Sequence, residues 1–304
     1  MRCAVTGGSG FIGSHVVDAL KGAGHEVVVL DHRVTPHRAD VEFKDVDILD
    51  FSSALNATKS CDYIFHLAAV SNVDYVLEQP LYSTQLNIVG TANVLEAARH
   101  NGAKRVVLAS TVWVYTGARS DEVHEDSPFF MPGAGHIYSS TKIASELLCH
   151  DYQKLYGLDF TILRYGIPYG PRMREQLLIP IFLKKAFAGQ PLTVAGKGDQ
   201  YRNFIYIEDL ARAHLLCMDD KGRNEIFNLE GAEPVTVLDV AETIKKLLGG
   251  EVKIEFTPAR PGDYKGKEVS REKAERVLGW KTTTSFEAGM ARTVPWFKER
   301  LSRA

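Results

Sequence analysis

Residues 6–13 read Thr6-Gly7-Gly8-Ser9-Gly10-Phe11-Ile12-Gly13, and this stretch decides the fold. It follows the short apolar run Cys3-Ala4-Val5 and precedes residues 14–21, where apolar side chains recur at helical spacing. The pattern predicts a strand, a tight glycine turn and a helix. The three spaced glycines would let the backbone approach a pyrophosphate, which the free amides of the helix N-terminus can bind. We therefore expect a dinucleotide at this turn.

Strands and helices alternate through the first half of the chain. Unbroken apolar runs, typical of strands buried on both faces, are found at Val27–Leu30, Tyr63–Leu67, Arg105–Ala109 and Phe160–Leu163. Helical patterns, including one over about residues 81–99, separate these runs as crossover connections. The alternation predicts an α/β fold with a Rossmann-type, doubly wound parallel sheet. After Pro168, loops rich in Gly, Pro and Arg indicate a smaller C-terminal lobe at the carboxyl edge of the sheet.

Composition sets broad bounds on the class of protein and its function. The 304 residues include 45% hydrophobic and 24% charged side chains, enough for a large core. A formal net charge of -2 gives no support for nucleic-acid or membrane-surface binding as the main role. The four cysteines are widely spaced and form no CxxC pair, as expected of reduced thiols in a cytoplasmic protein. We expect neither a signal peptide nor a membrane span.

Asp31 ends the second predicted strand. A carboxylate there is placed to accept both hydroxyls of an adenosine ribose and would repel a 2′-phosphate, which favours NAD over NADP. Arg33 lies close by, and its guanidinium could instead hold that phosphate, so the choice of cofactor stays open at this point. The alternative for Asp31 is an ordinary strand-end carboxylate.

Proton chemistry is indicated by Tyr138-Ser139-Ser140-Thr141-Lys142. A Tyr and a Lys four residues apart share one face of a helix. A free phenol has a pKa of about 10, and a neighbouring ammonium and an oxidised nicotinamide would stabilise the phenolate. Ser110 and Thr111 end the strand that begins at Arg105, so a hydroxyl would reach the same crevice. The alternatives are a solvent-facing Tyr–Lys pair and hydroxyls that only cap the strand.

The chain resembles the extended short-chain dehydrogenases/reductases, in their nucleotide-sugar epimerase/dehydratase group, over essentially all 304 residues. The motifs that carry the resemblance, in order, are TGGSGFIG (6–13), Asp31, Asp47-Ile48, HLAA (66–69), NIVGT (87–91), ASTVWVY (109–115), YSSTK (138–142), LRYGIPYGPR (163–172), GKGDQYRNFIYIEDLA (196–211) and RPGD (260–263). Each motif is loose alone, but this order and spacing are specific.

The resemblance implies roles for matching residues. Thr111 would bond the reacting sugar hydroxyl, Tyr138 would accept and donate its proton, and Lys142 would hold the nicotinamide ribose. The implied NAD contacts are Gly7, Gly10, Phe11, Ile12, Gly13, Asp31, Asp47, Ile48, Leu67, Ala68, Ala69, Asn87, Tyr138, Lys142 and Tyr165. Among them, Asp47 and Ile48 would cover the adenine, and Asn87 would lie near Lys142 or the ligand.

Substrate binding is implied for Thr111, Arg172, Arg202, Arg260 and Asp263. Two arginines in separate glycine-bearing loops suit a diphosphate, because each guanidinium offers a planar fork of donors. Arg172 is a third candidate, for the diphosphate or for an acidic sugar. Without the resemblance, the same arginines would be interpreted as solvated surface charges.

Departures from the family pattern narrow the reaction. Val112 and Trp113 stand where the family's dehydratases carry an Asp-Glu pair and its decarboxylases a Glu, and neither can transfer a proton. Ile167 replaces an Asn that helps to hold the sugar in many relatives. His66, His136 and His150 form no spaced ligand set with carboxylates, so we expect no metal.

The sequence therefore predicts an NAD-dependent 4-epimerase of a nucleotide sugar, first UDP-glucose/UDP-galactose, acting through a transient 4-keto sugar. The alternatives are a UDP-glucuronate 4-epimerase, a 4-keto nucleotide-sugar reductase and a nucleotide-sensing protein without chemistry. We expect residues 1–167 to form the NAD-binding domain, with about 203–230 returning to it, and 168–304 to form most of a discontinuous nucleotide-sugar-binding lobe. The resemblance also implies a homodimer.

Overall fold

The computed structural model describes residues 1–32, 34–130, 135–258 and 268–302. These residues form strands β1 Arg2–Thr6, β2 Glu26–Asp31, β3 Glu42–Asp45, β4 Tyr63–His66, β5 Arg105–Thr111, β6 Glu122–Val123, β7 Phe160–Tyr165, β8 Ile167–Tyr169, β9 Leu192–Ala195, β10 Tyr201–Arg202, β11 Phe204–Tyr206, β12 Glu225–Leu229, β13 Val235–Thr236, β14 Ile254–Thr257 and β15 Glu268–Val269. The helices are α1 Phe11–Gly22, α2 Phe51–Ala57, α3 Val73–Glu78, α4 Pro80–Thr84, α5 Gly90–His100, α6 Ile137–Tyr156, α7 Leu178–Phe187, α8 Ile207–Leu216, α9 Val237–Leu247, α10 Glu272–Leu278 and α11 Phe286–Ser302.

The chain divides into two compact units. The first comprises Met1–Tyr165, Ala211–Leu229 and Val269–Trp280, and the second comprises Gly166–Leu210, Glu230–Glu268 and Lys281–Ala304. Across the described part of the chain, no helix combines the length and apolar character needed to cross a bilayer.

A seven-stranded sheet forms the centre of the first unit. Its order is β12-β7-β5-β4-β1-β2-β3, and every neighbouring pair is parallel. The strand order reverses between β1 and β4, which makes their carboxyl ends a topological switch point, where open α/β sheets bind ligands. The predicted Rossmann-type fold class is confirmed.

All five predicted strands of this sheet are confirmed, because each is a continuous apolar run buried on both faces. Val28, Ile64 and Val107 are completely buried in β2, β4 and β5. Two strands were not predicted. β3 is a charged edge strand, and β12 reaches its place beside β7 from about sixty residues further along the chain.

The predicted helix over residues 81–99 is confirmed but is interrupted. α4 runs into a π-helical turn, Gln85–Val89, and then into α5. Such a turn shifts the backbone register and leaves carbonyl groups without helical partners, and it is frequent at functional sites. Asn87 lies in the middle of it.

The second unit contains short strand pairs and helices α7, α9 and α11. β8 pairs with β11 and β9 pairs with β14 in parallel, whereas β10 and β13 are antiparallel. The buried Asp209 carboxylate ties the start of α8 to residues before α11, accepting the Thr283 hydroxyl at 2.6 Å and the Thr284 amide at 3.0 Å. These bonds join segments that are distant in sequence.

Candidate active site

The glycine turn connects β1 to α1. Gly7 has a φ of +68°, and its amide donates to the Leu30 carbonyl at 2.8 Å, while the Gly10 amide donates to the Gly7 carbonyl at 3.1 Å. A Cβ on Gly13 would overlap the Gly7 carbonyl. Gly10 caps α1 without any side-chain hydrogen bond. The first amides of α1 therefore keep their donors for an anion.

Ala68 closes the opposite side of this turn. A Cβ on Gly7 would lie only 2.8 Å from the Ala68 amide nitrogen, so the two backbones touch. The Thr6 hydroxyl accepts from the amides of Leu67 and Ala68, each at 3.2 Å. These bonds hold the segment after β4, which includes Ala69, against the glycine turn.

Asp31 retains acceptor capacity after its internal bonds. Its carboxylate accepts the Ser9 amide and the His32 amide, each at 2.9 Å. Burial raises the pKa of Asp31, and these two amides oppose the rise. Each carboxylate oxygen has a second lone pair for a ribose hydroxyl. Arg33, whose guanidinium left the choice between NAD and NADP open, lies outside the described residues.

Asp47 and Ile48 lie in the turn after β3. The Asp47 carboxylate accepts the Leu49 amide at 2.9 Å, which shapes its own turn. Ile48 is buried against Gly90, where a Cβ would lie 2.6 Å from the isoleucine Cδ1. The structure therefore gives both residues a role within the fold, and their adenine contacts stay a prediction.

His66 at the end of β4 is neutral, and its hydrogen bonds fix its tautomer. The Thr91 hydroxyl donates to the Asn87 carbonyl at 2.6 Å, so it accepts from His66 Nε2 at 3.0 Å. His66 Nδ1 then accepts from the Thr6 hydroxyl at 2.8 Å. Burial, with repulsion from the Lys142 cation, lowers the pKa of His66 to about 3.

Asn87 joins the π-helical turn to the site. Its side-chain amide exchanges two hydrogen bonds with the Val70 backbone, at 2.8 and 3.0 Å, and donates to the Thr141 hydroxyl at 3.0 Å. The backbone carbonyl of Asn87 accepts from the Thr91 hydroxyl and from the Ser145 hydroxyl, the latter at 3.1 Å. Asn87 thus positions the helix that carries Tyr138 and Lys142.

Tyr138 and Lys142 lie on one face of α6, as the spacing predicts. Lys142 Nζ is 5.9 Å from the centre of the Tyr138 ring and donates to the Ala109 carbonyl at 2.9 Å. Lys142 is only 5% exposed, and this burial lowers its pKa to about 8, against the raising effect of Glu146. The lysine is therefore cationic at neutral pH and poorly hydrated.

The two hydroxyls at the end of β5 have different partners. Ser110 donates to the buried Glu146 carboxylate, so it is committed to the interior. The Thr111 hydroxyl accepts the Trp113 amide at 3.2 Å. Within the described ranges no group accepts the Thr111 hydroxyl proton, which leaves that proton for a ligand. Of the two predicted hydroxyls, only Thr111 remains available.

Sequence reasoning missed a buried ionic network behind β5. Arg164 and Glu146, each 2% exposed, form a salt bridge of 2.7 Å. Arg164 also donates to the Tyr115 hydroxyl and to the Glu125 carbonyl. The signal in the sequence was Glu146, which follows Lys142 by one helical turn on the same face.

Tyr165, predicted to contact the cofactor, has an internal partner. Its hydroxyl is 2.6 Å from His214 Nε2, and the phenol is buried. Burial raises the pKa of Tyr165 well above its usual value. Any cofactor contact of Tyr165 stays a prediction.

The predicted substrate arginines belong to the second unit. Arg172 has a φ of +66° in the turn after β8, and Arg202 is in β10, where its guanidinium donates to the Tyr201 carbonyl at 2.7 Å. Arg260 and Asp263 lie outside the described residues. Among the residues that the structure describes, no group of three or more His, Cys, Asp or Glu side chains is arranged to hold a metal ion.

The residues at the switch point fit a dinucleotide. The uncapped N-terminus of α1 suits a pyrophosphate, and the contact between Gly7 and Ala68 leaves no room for a side chain on the glycine. The remaining lone pairs of Asp31 suit ribose hydroxyls. When bound, NAD would be held by these groups, close to the Lys142 ammonium, which is 5.9 Å from the centre of the Tyr138 ring.

Known proteins resemble this chain over almost its full length. It is 34% identical to a UDP-glucuronate 4-epimerase of Thermodesulfobacterium geofontis, with 98% of this chain and 96% of that protein covered. It is 32% identical to a UDP-N-acetyl-alpha-D-glucosaminuronate decarboxylase of Bacillus cytotoxicus, with 98% of each covered.

A solved structure is similar to this chain over almost its whole length. The crystal structure of UDP-glucose 4-epimerase from Thermotoga maritima, determined with UDP-glucose, superimposes with a TM-score of 0.90 at 30% identity. The match covers 99% of this chain and 100% of that one. The model of the NAD dependent epimerase/dehydratase family matches residues 3–229, which include the glycine turn, Thr111, Tyr138 and Lys142. The chain belongs to the NAD-dependent epimerase/dehydratase family.

Proposed function

We propose that the protein is an NAD-dependent 4-epimerase of a UDP-hexose, with UDP-glucose and UDP-galactose as its first substrates. The observation that carries this proposal is the arrangement at the end of β5. Among the described residues no group accepts the Thr111 hydroxyl proton, and Lys142 is buried beside Tyr138 on α6. β5, which carries Thr111, belongs to the sheet whose glycine turn fits NAD. These groups suit reversible oxidation of a secondary alcohol.

Each residue has a defined task in this reaction. Bound NAD supplies the acceptor and donor of the hydride at carbon 4 of the sugar. Tyr138 takes the proton of the 4-hydroxyl, because the nearby Lys142 ammonium stabilises its phenolate. Thr111 donates a hydrogen bond to the same oxygen and to the resulting ketone. After the 4-keto sugar has presented its other face, Tyr138 returns the proton.

The side chains after Thr111 argue against dehydration and decarboxylation. Val112 and Trp113 form the 3₁₀ turn that follows β5. Elimination of water needs a base at carbon 5 and an acid at the oxygen on carbon 6, and loss of CO2 needs an acid that returns a proton to carbon 5. Neither Val112 nor Trp113 can supply such a group. The nearby carboxylate of Glu146 is committed to Arg164. Reaction at carbon 4 alone is therefore favoured.

The two compact units are assigned different binding roles. We propose that the first unit binds NAD through the fifteen contacts that the sequence predicts, and that the second unit binds the nucleotide sugar. Arg202 and Arg260 would bind the diphosphate, with Arg172 and Asp263 completing the substrate contacts. Guanidinium forks match phosphate oxygens in pairs, which supports the assignment.

A UDP-uronic acid is the second candidate substrate. The 34% identical relative carries the name of a UDP-glucuronate 4-epimerase. Arg172 also adopts a left-handed backbone conformation, which non-glycine residues adopt rarely and which is enriched at ligand sites. A carboxylate at carbon 6 would be a natural partner for this guanidinium.

We also propose a cytoplasmic homodimer. Apolar side chains project from neighbouring helices of the first unit, with Leu81 71% exposed, Leu147 52% and Leu155 66%. Contiguous exposed apolar surface is typical of an association site. The four cysteines are buried and unpaired, as expected in a reducing compartment. Light scattering of the purified protein would test the dimer.

Incubation with UDP-glucose and a catalytic amount of NAD⁺ tests the proposed function. We expect UDP-galactose by chromatography, without lasting formation of reduced nicotinamide. UDP-glucuronate in a parallel reaction distinguishes the second candidate. Consumption of added reduced cofactor with a 4-keto nucleotide sugar would instead indicate a reductase. If none of these three substrates is turned over, the proposed enzymatic function is contradicted.

Tyr138→Phe is the matching active-site test. We expect it to lower turnover by a factor of about 10² to 10⁴ while NAD stays bound, because only the proton-transfer group is removed. Tyr156→Phe, on an exposed tyrosine of the same helix, should turn over like the wild type. Equal activities of the two variants would contradict the assignment of Tyr138.

A further inference from the structure

His136 is the N-cap residue of α6, two positions before Tyr138. Its Nδ1 accepts the amide of Ser139 at 3.3 Å. Its Nε2 is buried and has no hydrogen-bond partner among the described residues. Because Nδ1 uses its lone pair as an acceptor, the neutral ring carries its proton on Nε2. The site therefore contains a buried, unused N–H donor.

Capping the helix does not account for this second nitrogen. Asn, Asp or Ser would accept the Ser139 amide equally well, and none of these shorter side chains places a polar atom at the position of Nε2. An unsatisfied buried donor destabilises the folded protein, and such groups are rare in native proteins. Burial also lowers the pKa of His136, so the ring stays neutral and remains a donor at pH 7. We therefore expect a bound ligand to provide the hydrogen-bond acceptor for Nε2–H of His136.

The surroundings of His136 indicate which ligand. Its ring is stacked on Tyr138, with centroids 6.0 Å apart and an interplanar angle of 27°. On another side it packs against Trp113, with centroids 5.0 Å apart. The Trp113 backbone bonds to Thr111 through its amide and to Ser139 through its carbonyl. His136 is thus linked to the residues that flank the proposed proton transfer.

This combination suits a sugar ring. A hexose presents C–H groups that pack on aromatic faces and oxygen atoms that accept hydrogen bonds. Trp113 offers an indole where related enzymes that eliminate water would need an acid, and His136 offers a donor beside it. Tyr138 and Thr111 already serve the oxygen at carbon 4, so the His136 donor is left for another oxygen.

We propose that His136 Nε2–H donates a hydrogen bond to a sugar oxygen other than that on carbon 4, so that His136 selects the sugar of the bound UDP-hexose. The inference rests on the proposed function, because it assumes a sugar over Tyr138. A site built to bond a hydroxyl discriminates against analogues that lack it, since its donor is then left unpaired. His136 would affect the affinity for the sugar and not for the nucleotide.

His136→Asn tests the proposal while keeping the helix cap. Asn accepts the Ser139 amide but has no group at the position of Nε2, whereas His136→Gln restores an N–H near that position. His150→Asn, on an exposed histidine of α6, is the matched control. Calorimetry on NAD-loaded protein, in the Tyr138→Phe background that stops turnover, would measure the dissociation constants of UDP-glucose and of UDP.

We expect His136→Asn to weaken UDP-glucose binding about tenfold, the effect of one hydrogen bond of about 1.4 kcal/mol. UDP affinity should be unchanged and the melting temperature should not fall, because the helix cap is kept and an unpaired buried donor is removed. His136→Gln should recover part of the loss of UDP-glucose affinity, and His150→Asn should have no effect. Equal binding of UDP-glucose by His136→Asn and its parent would overturn the inference, as would equal losses for UDP and UDP-glucose. Turnover by the wild type decides the proposed function separately.

Discussion

The Lys142 ammonium donates to the Ala109 carbonyl at 2.9 Å, so a buried cation is attached to β5 two residues before Thr111. This bond holds the charge at a fixed place beside Tyr138. Its burial has a cost that changes with pH, and that cost can be measured in the absence of cofactor.

Replacing Lys142 should alter the pH dependence of stability. Burial lowers the pKa of Lys142 from 10.5 to about 8, so the folded protein binds fewer protons than the unfolded chain between these values. The cost of the buried cation is therefore complete below pH 8 and fades as the pH rises towards 10.5. Between pH 7 and 10, the unfolding free energy of the wild type should rise relative to Lys142→Met by about 2–3 kcal/mol. Denaturant unfolding of the apoprotein measures this, and a constant gap would contradict it.

Thr111→Val should remove the hydroxyl that the proposed reaction needs. We expect turnover to fall by a factor of about 10² to 10³, because a donor to the developing ketone is lost. Thr111→Ser keeps the hydroxyl and should stay within about tenfold of the wild type. Thr116→Val, which removes a neighbouring hydroxyl bonded to the Trp113 carbonyl, is the control. If Thr111→Val and Thr116→Val lose turnover equally, Thr111 has no special role.

Two glycines of α1 allow a controlled test of the glycine turn that is expected to bind NAD. In Gly13→Ala the new methyl would overlap the Gly7 carbonyl, whereas a methyl at Gly22 meets nothing within 4 Å. Gly13→Ala should weaken NAD binding and cost about 1–3 kcal/mol of stability through overpacking. Gly22→Ala should be neutral or stabilise by up to about 1 kcal/mol. Thermal unfolding and NAD titration would show this difference, and equal behaviour of the two variants would rule out a tight turn at Gly13.

The neutral His66 should make the protein sensitive to acid. Its pKa is lowered from 6.5 to about 3, so the unfolded chain binds more protons than the folded protein between these values. The stability that His66 contributes is complete above pH 6.5 and is lost as the pH falls towards 3. Between pH 7.5 and pH 5 the wild type should lose about 2 kcal/mol more than His66→Gln. His100→Gln, at an exposed histidine of α5, should follow the wild type, and a parallel decline of all three proteins would refute the assignment.

The sequence predicts those parts of the first unit that depend on local signals. The β1–α1–β2 unit is encoded by a glycine turn between two apolar runs, and the Tyr138–Lys142 spacing places both side chains on one face of α6. Parts that depend on distant contacts were missed. About residues 203–230 were expected to return to this domain, but β12 and its pairing with β7 were not predicted, because no local pattern shows this partnership.

The candidate site follows the same division. The alternation of side chains along a strand could have predicted that Ser110 and Thr111 have different surroundings, because successive side chains in β5 point to opposite faces of the sheet. The salt bridge of Glu146 with Arg164 needs two segments that only the fold brings together. His136 was interpreted as one of several isolated histidines, because its ring contacts with Trp113 and Tyr138 and the burial of its Nε2 exist only in the folded chain.

The central claim is that the hydrogen on carbon 4 of the sugar leaves as hydride and returns to the same carbon. UDP-glucose deuterated at carbon 4, incubated with the purified protein in ordinary water, tests this claim most directly by mass spectrometry and NMR of the product. We predict UDP-galactose that retains the deuterium at carbon 4. Product in which that deuterium has exchanged with solvent, or no UDP-galactose at all, would contradict the account.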